Sequence, residues 1–173
     1  MNDQLLEASK ELLEYTGPED TRISVTKMVE LLGKIMGNSV GYESNPGVLE
    51  DLINSCNFSK ITNSNLREAL SLWKVDLTKS KTQELKILKY RDNIADLFIK
   101  LSPLRNILKD TLNISQSAFE INTGPVLQDP QLENNLTYFM ITSKALKYRE
   151  YKNLKSDLLL ILNLISKELK ITD

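Results

Sequence analysis

The groups this 173-residue chain offers for chemistry are carboxylates, lysines, arginines, tyrosines and one thiol; it contains no histidine. That absence removes Ser-His and Cys-His nucleophilic pairs, His-ligated zinc and haem held by a proximal His. The single cysteine, Cys56, removes a two-Cys redox site, a thiolate metal cluster and an intramolecular disulfide. It falls on the apolar side of a short predicted helix and reads as a small buried hydrophobe. Carboxylates are ligands for Mg²⁺ or Ca²⁺, but no D-x-[DN]-x-[DN]-G loop occurs. The close acid pairs Glu11/Glu14, Glu19/Asp20 and Glu50/Asp51 sit at helix starts or on solvent faces, where first-turn acids favour the helix dipole. No catalytic residue, cofactor site or metal site is therefore assigned, and the chain reads as non-enzymatic.

Gly33, Gly37 and Gly41 form two overlapping G-x-x-x-G spacings. Lys34 and Asn38 interrupt them, so they do not make a membrane-helix pairing face. No G-K-[ST] follows, so they do not make a phosphate loop either. They read as one close-packing helical glycine, a helix stop and a loop over 37–47.

Charge is segregated although the net charge is only −1. Residues 1–53 carry ten acids and four bases, whereas 74–109 carry nine bases and four acids. A basic face of Lys86, Lys89, Arg105 and Lys109 is the candidate contact for nucleic acid or for an acidic protein. Lysine outnumbers arginine there, and Asp92 and Asp96 dilute the field. Nucleic-acid association is thus the alternative reading, not the leading one.

The stretch "SKALKYREYKNLKSDLLLILNLISKELK" sets five bases within 144–155 ahead of the apolar run Leu158–Ile165. Eight residues broken by Asn163 fall far short of the ~20 needed to span hydrocarbon. Two tyrosines among lysines, with no RNP-like strand or OB pattern, do not make a base-stacking platform. The helix is instead apolar on more than one side, which demands burial on most faces or a partner chain. Leu154, Leu158, Ile161, Leu162, Ile165, Tyr148 and Tyr151 are its candidate partner-binding residues.

The elements that would carry these groups follow from helical periodicity, which dominates throughout. A first helix is predicted over about 3–15, ended by Gly17-Pro18. A second starts at an Ser24 N-cap, carries Val25, Met28, Val29, Leu32, Ile35 and Met36, and stops at Gly37. Asn45-Pro46 opens a short third helix bearing Val48, Leu49, Leu52, Ile53 and Cys56. A fourth follows Thr62 or Asn63, with Leu66, Ala69, Leu70, Trp73 and Leu77 inward. A turn is expected at 78–82 and a fifth helix over 82–101, with Leu85, Leu88, Ile94, Leu97, Phe98 and Leu101. Ser102-Pro103 opens a helix with Leu104, Ile107, Leu108 and Leu112. Residues 115–129 show no durable period. Asp129-Pro130 caps a last helical stretch through Leu132, Leu136, Phe139, Met140 and Leu146, which either continues into the C-terminal stretch or breaks near Asn153.

Trp73 reads as a core anchor whose indole N–H needs an acceptor if buried. The run Leu72-Trp73-Lys74 resembles the N-terminal helical module of TFIIS-type transcription elongation factors over these few residues, and nothing is carried over from it.

The expectation is a single all-α domain over 1–173, an irregular bundle of about seven or eight helices. An acidic, amphipathic N-terminus is not a secretory signal, which points to an intracellular protein, cytoplasmic or nuclear, without a membrane partner. Missing catalytic residue types, segregated charge and surplus apolar surface near the C-terminus point to an adaptor or scaffold subunit of a multi-protein complex. It would recognise a protein partner, or another copy of itself, through a helix face.

Overall fold

The computed structural model describes residues 3–19, 23–37, 40–41, 47–54 and 58–169. The fold is all-α, with no strand among the described residues. In chain order the helices are α1 (Asp3–Leu13), α2 (Val25–Met36), α3 (Gly47–Asn54), α4 (Ser64–Leu101), α5 (Leu104–Ile107), α6 (Lys109–Leu112), α7 (Gly124–Leu127) and α8 (Pro130–Ala145). A 3₁₀ turn at Phe58–Lys60 precedes α4, and α8 passes through a π-helical segment, Leu146–Glu150, into α9 (Tyr151–Glu168). The residues group into two compact units. Unit 1 takes 1–40 and 85–144, and unit 2 takes 41–84 and 145–173.

Unit 1 is built on α1 packed against α2. Leu5, Leu6, Ala8 and Leu12 recur at helical spacing and are buried, as are Met28, Leu31 and Ile35 of α2. The expected cap forms: Ser24 Oγ accepts from the Lys27 amide at 3.2 Å, satisfying one of the free donors of the first turn. After α1, Gly17 adopts φ +152°, a conformation that a side chain resists, and its N–H donates to Leu127 O at 3.1 Å. Later in the unit, Asn93 Nδ2 donates to Asn135 Oδ1 at 3.0 Å, and Tyr90 stacks on Tyr138 with ring centroids 5.4 Å apart.

The turn expected at 78–82 is helix instead, inside the 38 residues of α4. Neither glycine nor proline interrupts 64–101. Thr78 and Thr82 place their hydroxyls back on the carbonyls of Lys74 and Thr78, at 3.0 and 2.9 Å, so the turn-forming groups are absorbed within the helix. The fifth-helix register also shifts: Leu85 is exposed and Ile87 fully buried. The helix of 104–112 is two single turns, interrupted at Leu108 (φ −98°, ψ 4°). Ser102 does not cap it; its hydroxyl is buried without a partner, Pro103 holds the cap position, and Leu112 is exposed.

Of the aperiodic stretch 115–129, residues 115–123 carry no helix and are tied down by side chains, whereas Gly124–Leu127 forms the single turn α7, so the expectation holds only up to Thr123. Asn113 (φ 51°) turns the chain out of α6. Arg105 donates to Ser115 O at 2.9 Å and to Ser115 Oγ at 2.7 Å. Asn106, fully buried, donates its amide to the carbonyls of Ser117 and Phe119 and accepts from the Ser117 amide at 2.7 Å. One side chain thus replaces the ladder partners that this segment lacks.

In unit 2 the first part of α4 starts from Asn63, whose Oδ1 accepts from the Leu66 amide at 3.1 Å. Leu66, Ala69 and Leu70 bury against Ile161 of α9, with Leu52, Phe58, Ile61, Trp73, Leu164 and Ile165 around them. α8 begins as predicted, Asp129 Oδ1 accepting from the Gln131 amide at 2.8 Å, and the helical path continues past Asn153. Cys56 and the Asn45-Pro46 cap lie outside the described residues, as does most of the loop 37–47.

Because Asn106 leaves two carbonyls and an amide without partners when truncated, Asn106→Ala is expected to destabilise the protein by about 2–3 kcal/mol. Urea denaturation measures this, and hydrogen exchange at the Ser117 amide should accelerate in parallel.

Candidate functional site

An open apolar groove lies in unit 1, formed where α2 has a second face to offer. Met28, Leu31 and Ile35 use one side of α2 for the core. Val29, Leu32 and Met36, one step round the helix, are only half-buried and form one wall of the groove. Ala95, Phe98 and Ile99 of α4 form a second wall, and Leu104, Leu108 and Thr111 close the end. The groove measures about 290 Å³. No lining residue is charged, and Thr111 supplies the only side-chain polar atom.

Gly33 stands in the α2 wall, and a Cβ there would meet no atom within 4 Å. The expectation of a close-packing glycine is therefore corrected: Gly33 leaves a notch in the groove. Gly37 does end α2, donating its N–H to Gly33 O at 2.8 Å, with ordinary φ.

The candidate residues of the C-terminal helix divide between inside and outside. Leu154 and Ile161 are buried within the molecule, and Leu158, Ile165 and Tyr151 are half-buried. Leu162 and Tyr148 face solvent, the latter with Lys147 Nζ 5.0 Å from its ring centroid. Leu159, Leu160 and Leu169, at 58%, 48% and 64% exposure, join Leu162 on the outer side. Leu159, Leu162, Ser166 and Leu169 are spaced three and four residues apart in turn, the interval of a coiled-coil seam.

Tyr151 belongs to a polar seam between α4 and α9. Its hydroxyl donates to Glu84 Oε1 at 2.9 Å, and Lys81 Nζ reaches Glu84 Oε2 at 3.0 Å. Gly41 (φ +152°) lies against the same carboxylate, where a Cβ would stand 3.3 Å from Oε2. Burial first, then the bond to Glu84, raises the Tyr151 phenol well above its ordinary range. Glu150, also buried, accepts from Arg149 Nε at 2.7 Å. Asp76 binds Lys79 Nζ at 2.6 Å. Burial, followed by the neighbouring Asp76 carboxylate, holds the Asp157 carboxyl above the usual range, with Lys79 opposing. The Trp73 indole N–H, expected to need an acceptor, is buried without one.

Of the basic face, Lys86 and Lys89 are exposed one turn apart on α4. Arg105 is exposed but engaged by Ser115, and Lys109 is half-buried. Among the described residues no group of three or more Cys, Asp or Glu is placed to hold a metal ion. None of the described helices is long and apolar enough to cross a membrane.

The groove was missed because Val29, Leu32 and Met36 read as core. The signal was present: α2 carries apolar residues on two faces, the same excess that singled out α9. The seam had no periodic signal, since its acids and lysines sit where solvent-facing residues are expected.

The chain matches no family model, and neither a curated protein nor a solved structure is significantly similar to it.

Removing the Tyr151 hydroxyl deprives the buried Glu84 carboxylate of a hydrogen-bond donor. Tyr151→Phe should lower stability by about 1–2 kcal/mol in chemical denaturation, and Glu84→Gln, which keeps an acceptor for the phenol, should cost less than Glu84→Ala.

Proposed function

We propose that this chain is a non-enzymatic interaction subunit, an adaptor or scaffold, that docks a partner helix in the groove between α2 and α4. The observation that carries the reading is the groove's composition. Ten residues line it and none is charged. Such a surface lacks the convergent polar groups that orient a reacting substrate, and it suits the apolar ridge of an amphipathic helix. The Gly33 notch is shaped to take one anchoring side chain of that ridge. The outer leucines of α9 add a second apolar surface, and an adaptor needs two. The assembly would be intracellular, and a second copy of the chain is among the partners this chemistry admits.

The test is affinity capture from native lysate with the full chain and two variants, Gly33→Leu to fill the notch and Ile99→Asp to charge the rim. Both positions are open, so thermal stability should hold. Partners retained by the native protein should be lost, with affinity reduced on the order of 30-fold for a central contact. Partners retained equally by all three proteins would refute docking at this groove.

The nucleic-acid reading rests on Lys86 and Lys89, which present two unpaired ammonium groups to solvent on one side of α4. Binding would weaken steeply with salt, and Lys86→Glu with Lys89→Glu should lower the log–log salt slope by about two. A gel-shift series at low salt with no shift rejects it.

A further inference from the structure

We propose that the outer side of α9 is a coiled-coil seam for a partner of one kind: an acidic amphipathic helix that sets leucines against Leu159, Leu162 and Leu169 and carboxylates against Lys152 and Lys155. The first observation is spacing. Lys152, Lys155, Leu159, Leu162, Ser166 and Leu169 stand three and four residues apart in strict turn, the a/d alternation of a heptad repeat. The backbone keeps them in line, since α9 is unbroken over Tyr151–Glu168 and Leu169 caps it with helical φ and ψ (−80°, −2°). The second observation is exposure. All six face solvent, whereas Leu154 and Ile161, on another side of the helix, are buried in unit 2.

Charge decides which helix covers this row. No ion pair engages the Lys152 or Lys155 ammonium among the described residues. Neither acid of α9, Asp157 or Glu168, stands in the row. A second copy laid parallel would set Lys152 on Lys152 and Lys155 on Lys155, like charges inside one interface. An antiparallel copy that pairs Leu159 with Leu162 sets Lys155 opposite Ser166 and Lys152 opposite Leu169, so neither ammonium meets an anion. A partner with Asp or Glu at those two positions answers both, as charge-assisted hydrogen bonds in place of ammonium groups withdrawn from water.

A bilayer is the poorer cover. It takes a broad apolar face with its lysines outside, whereas here two lysines stand in the row itself and exposed Ser156 and Asn163 edge it. The leucines supply contact area. The lysines fix the sign of the partner's charge and the end at which its acids stand. The inference rests on the adaptor reading, in which α9 supplies the second docking surface; its variants alter no groove residue, so failure here and failure at the groove are separate results.

The experiment is fluorescence anisotropy of labelled peptides titrated with the full chain. Each peptide is about three heptads long, with leucine at its a and d positions. Two probes carry a glutamate pair at the first or at the last two of those positions, one for each chain direction, and each has a twin with lysine there. One glutamate probe should bind about tenfold more tightly than its twin, a preference that shrinks as salt rises. Leu162→Ser should weaken that probe on the order of tenfold, and Lys152→Glu with Lys155→Glu should reverse the preference. The three positions are exposed, circular dichroism checks the fold, and the charge reversal decides the matter without the leucine variant. Glutamate probes bound no better than their twins, or a preference unmoved by the charge reversal, overturn the inference. So does a dimer of the chain alone that Leu162→Ser dissolves in sedimentation equilibrium, or Leu162-dependent binding to phosphatidylserine vesicles, since either puts another occupant on the row.

Discussion

Helix α4 contributes buried side chains to both units, and their chemistry changes twice along the helix. It begins with Leu66, Ala69 and Leu70, turns polar through Asp76, Ser80, Gln83 and Glu84, and returns to apolar at Ile87, Ile94, Leu97 and Phe98. A helix of leucines at these positions would pack by area alone. The carboxylates of the polar stretch have to be matched, because a buried carboxylate without donors costs several kcal/mol, more than one apolar side chain returns. Tyr151 and Lys81 meet that demand at Glu84, and Lys79 meets it at Asp76. The register of α9 on α4 is therefore specified by the Tyr151–Glu84 hydrogen bond as well as by volume, since sliding one turn would break it, whereas the two lysine pairs lie within α4.

The π-helical segment belongs to the same constraint. Leu146, Glu150 and Leu154 are all buried, each four residues from the last. A regular helix turns past the starting direction by 40° in four residues, so a straight run would drift off its neighbour. One wider turn at Leu146–Glu150 resets the face and delivers both Glu150 and Tyr151 to the seam.

Much of this was legible in the chain because it depends on local physics. The caps at Ser24 and Asp129, the stop at Gly37 and the start of α4 at Thr62 or Asn63 each follow from one or two residues and their backbone preferences. The misreadings are of another kind. At 78–82 the hydroxyls of two threonines had a choice between forming a turn and bonding back along a helix, and the long run without glycine or proline on either side decided it. At Ser102 the opposite occurred: a residue ideal for capping was displaced because Pro103 took the cap position. Leu85 and Ile87 exchange roles because removing the expected turn carries one helical phase straight through. Locally identical signals thus diverge once their neighbours fix the phase.

The candidate surfaces obey a single rule of surplus. A helix needs an apolar arc of roughly 100° to dock on one neighbour. In α9 the inner arc is spent on Leu154 and Ile161, leaving Leu159, Leu160 and Leu162 outside; in α2 it is spent on Met28, Leu31 and Ile35, leaving Val29, Leu32 and Met36 to line the groove. The two surpluses differ in shape, and that difference decides what each is fit to do. A row of exposed leucines could recognise a partner only by spacing, and would be weakly selective because any complementary ridge satisfies it. The groove has walls on three sides and a notch at Gly33, so a docked side chain would be selected by volume, the wrong size leaving either a void or a clash. On the proposed docking reading, selectivity would therefore be concentrated at α2 and α4, even though the sequence advertises its apolar excess most loudly at α9.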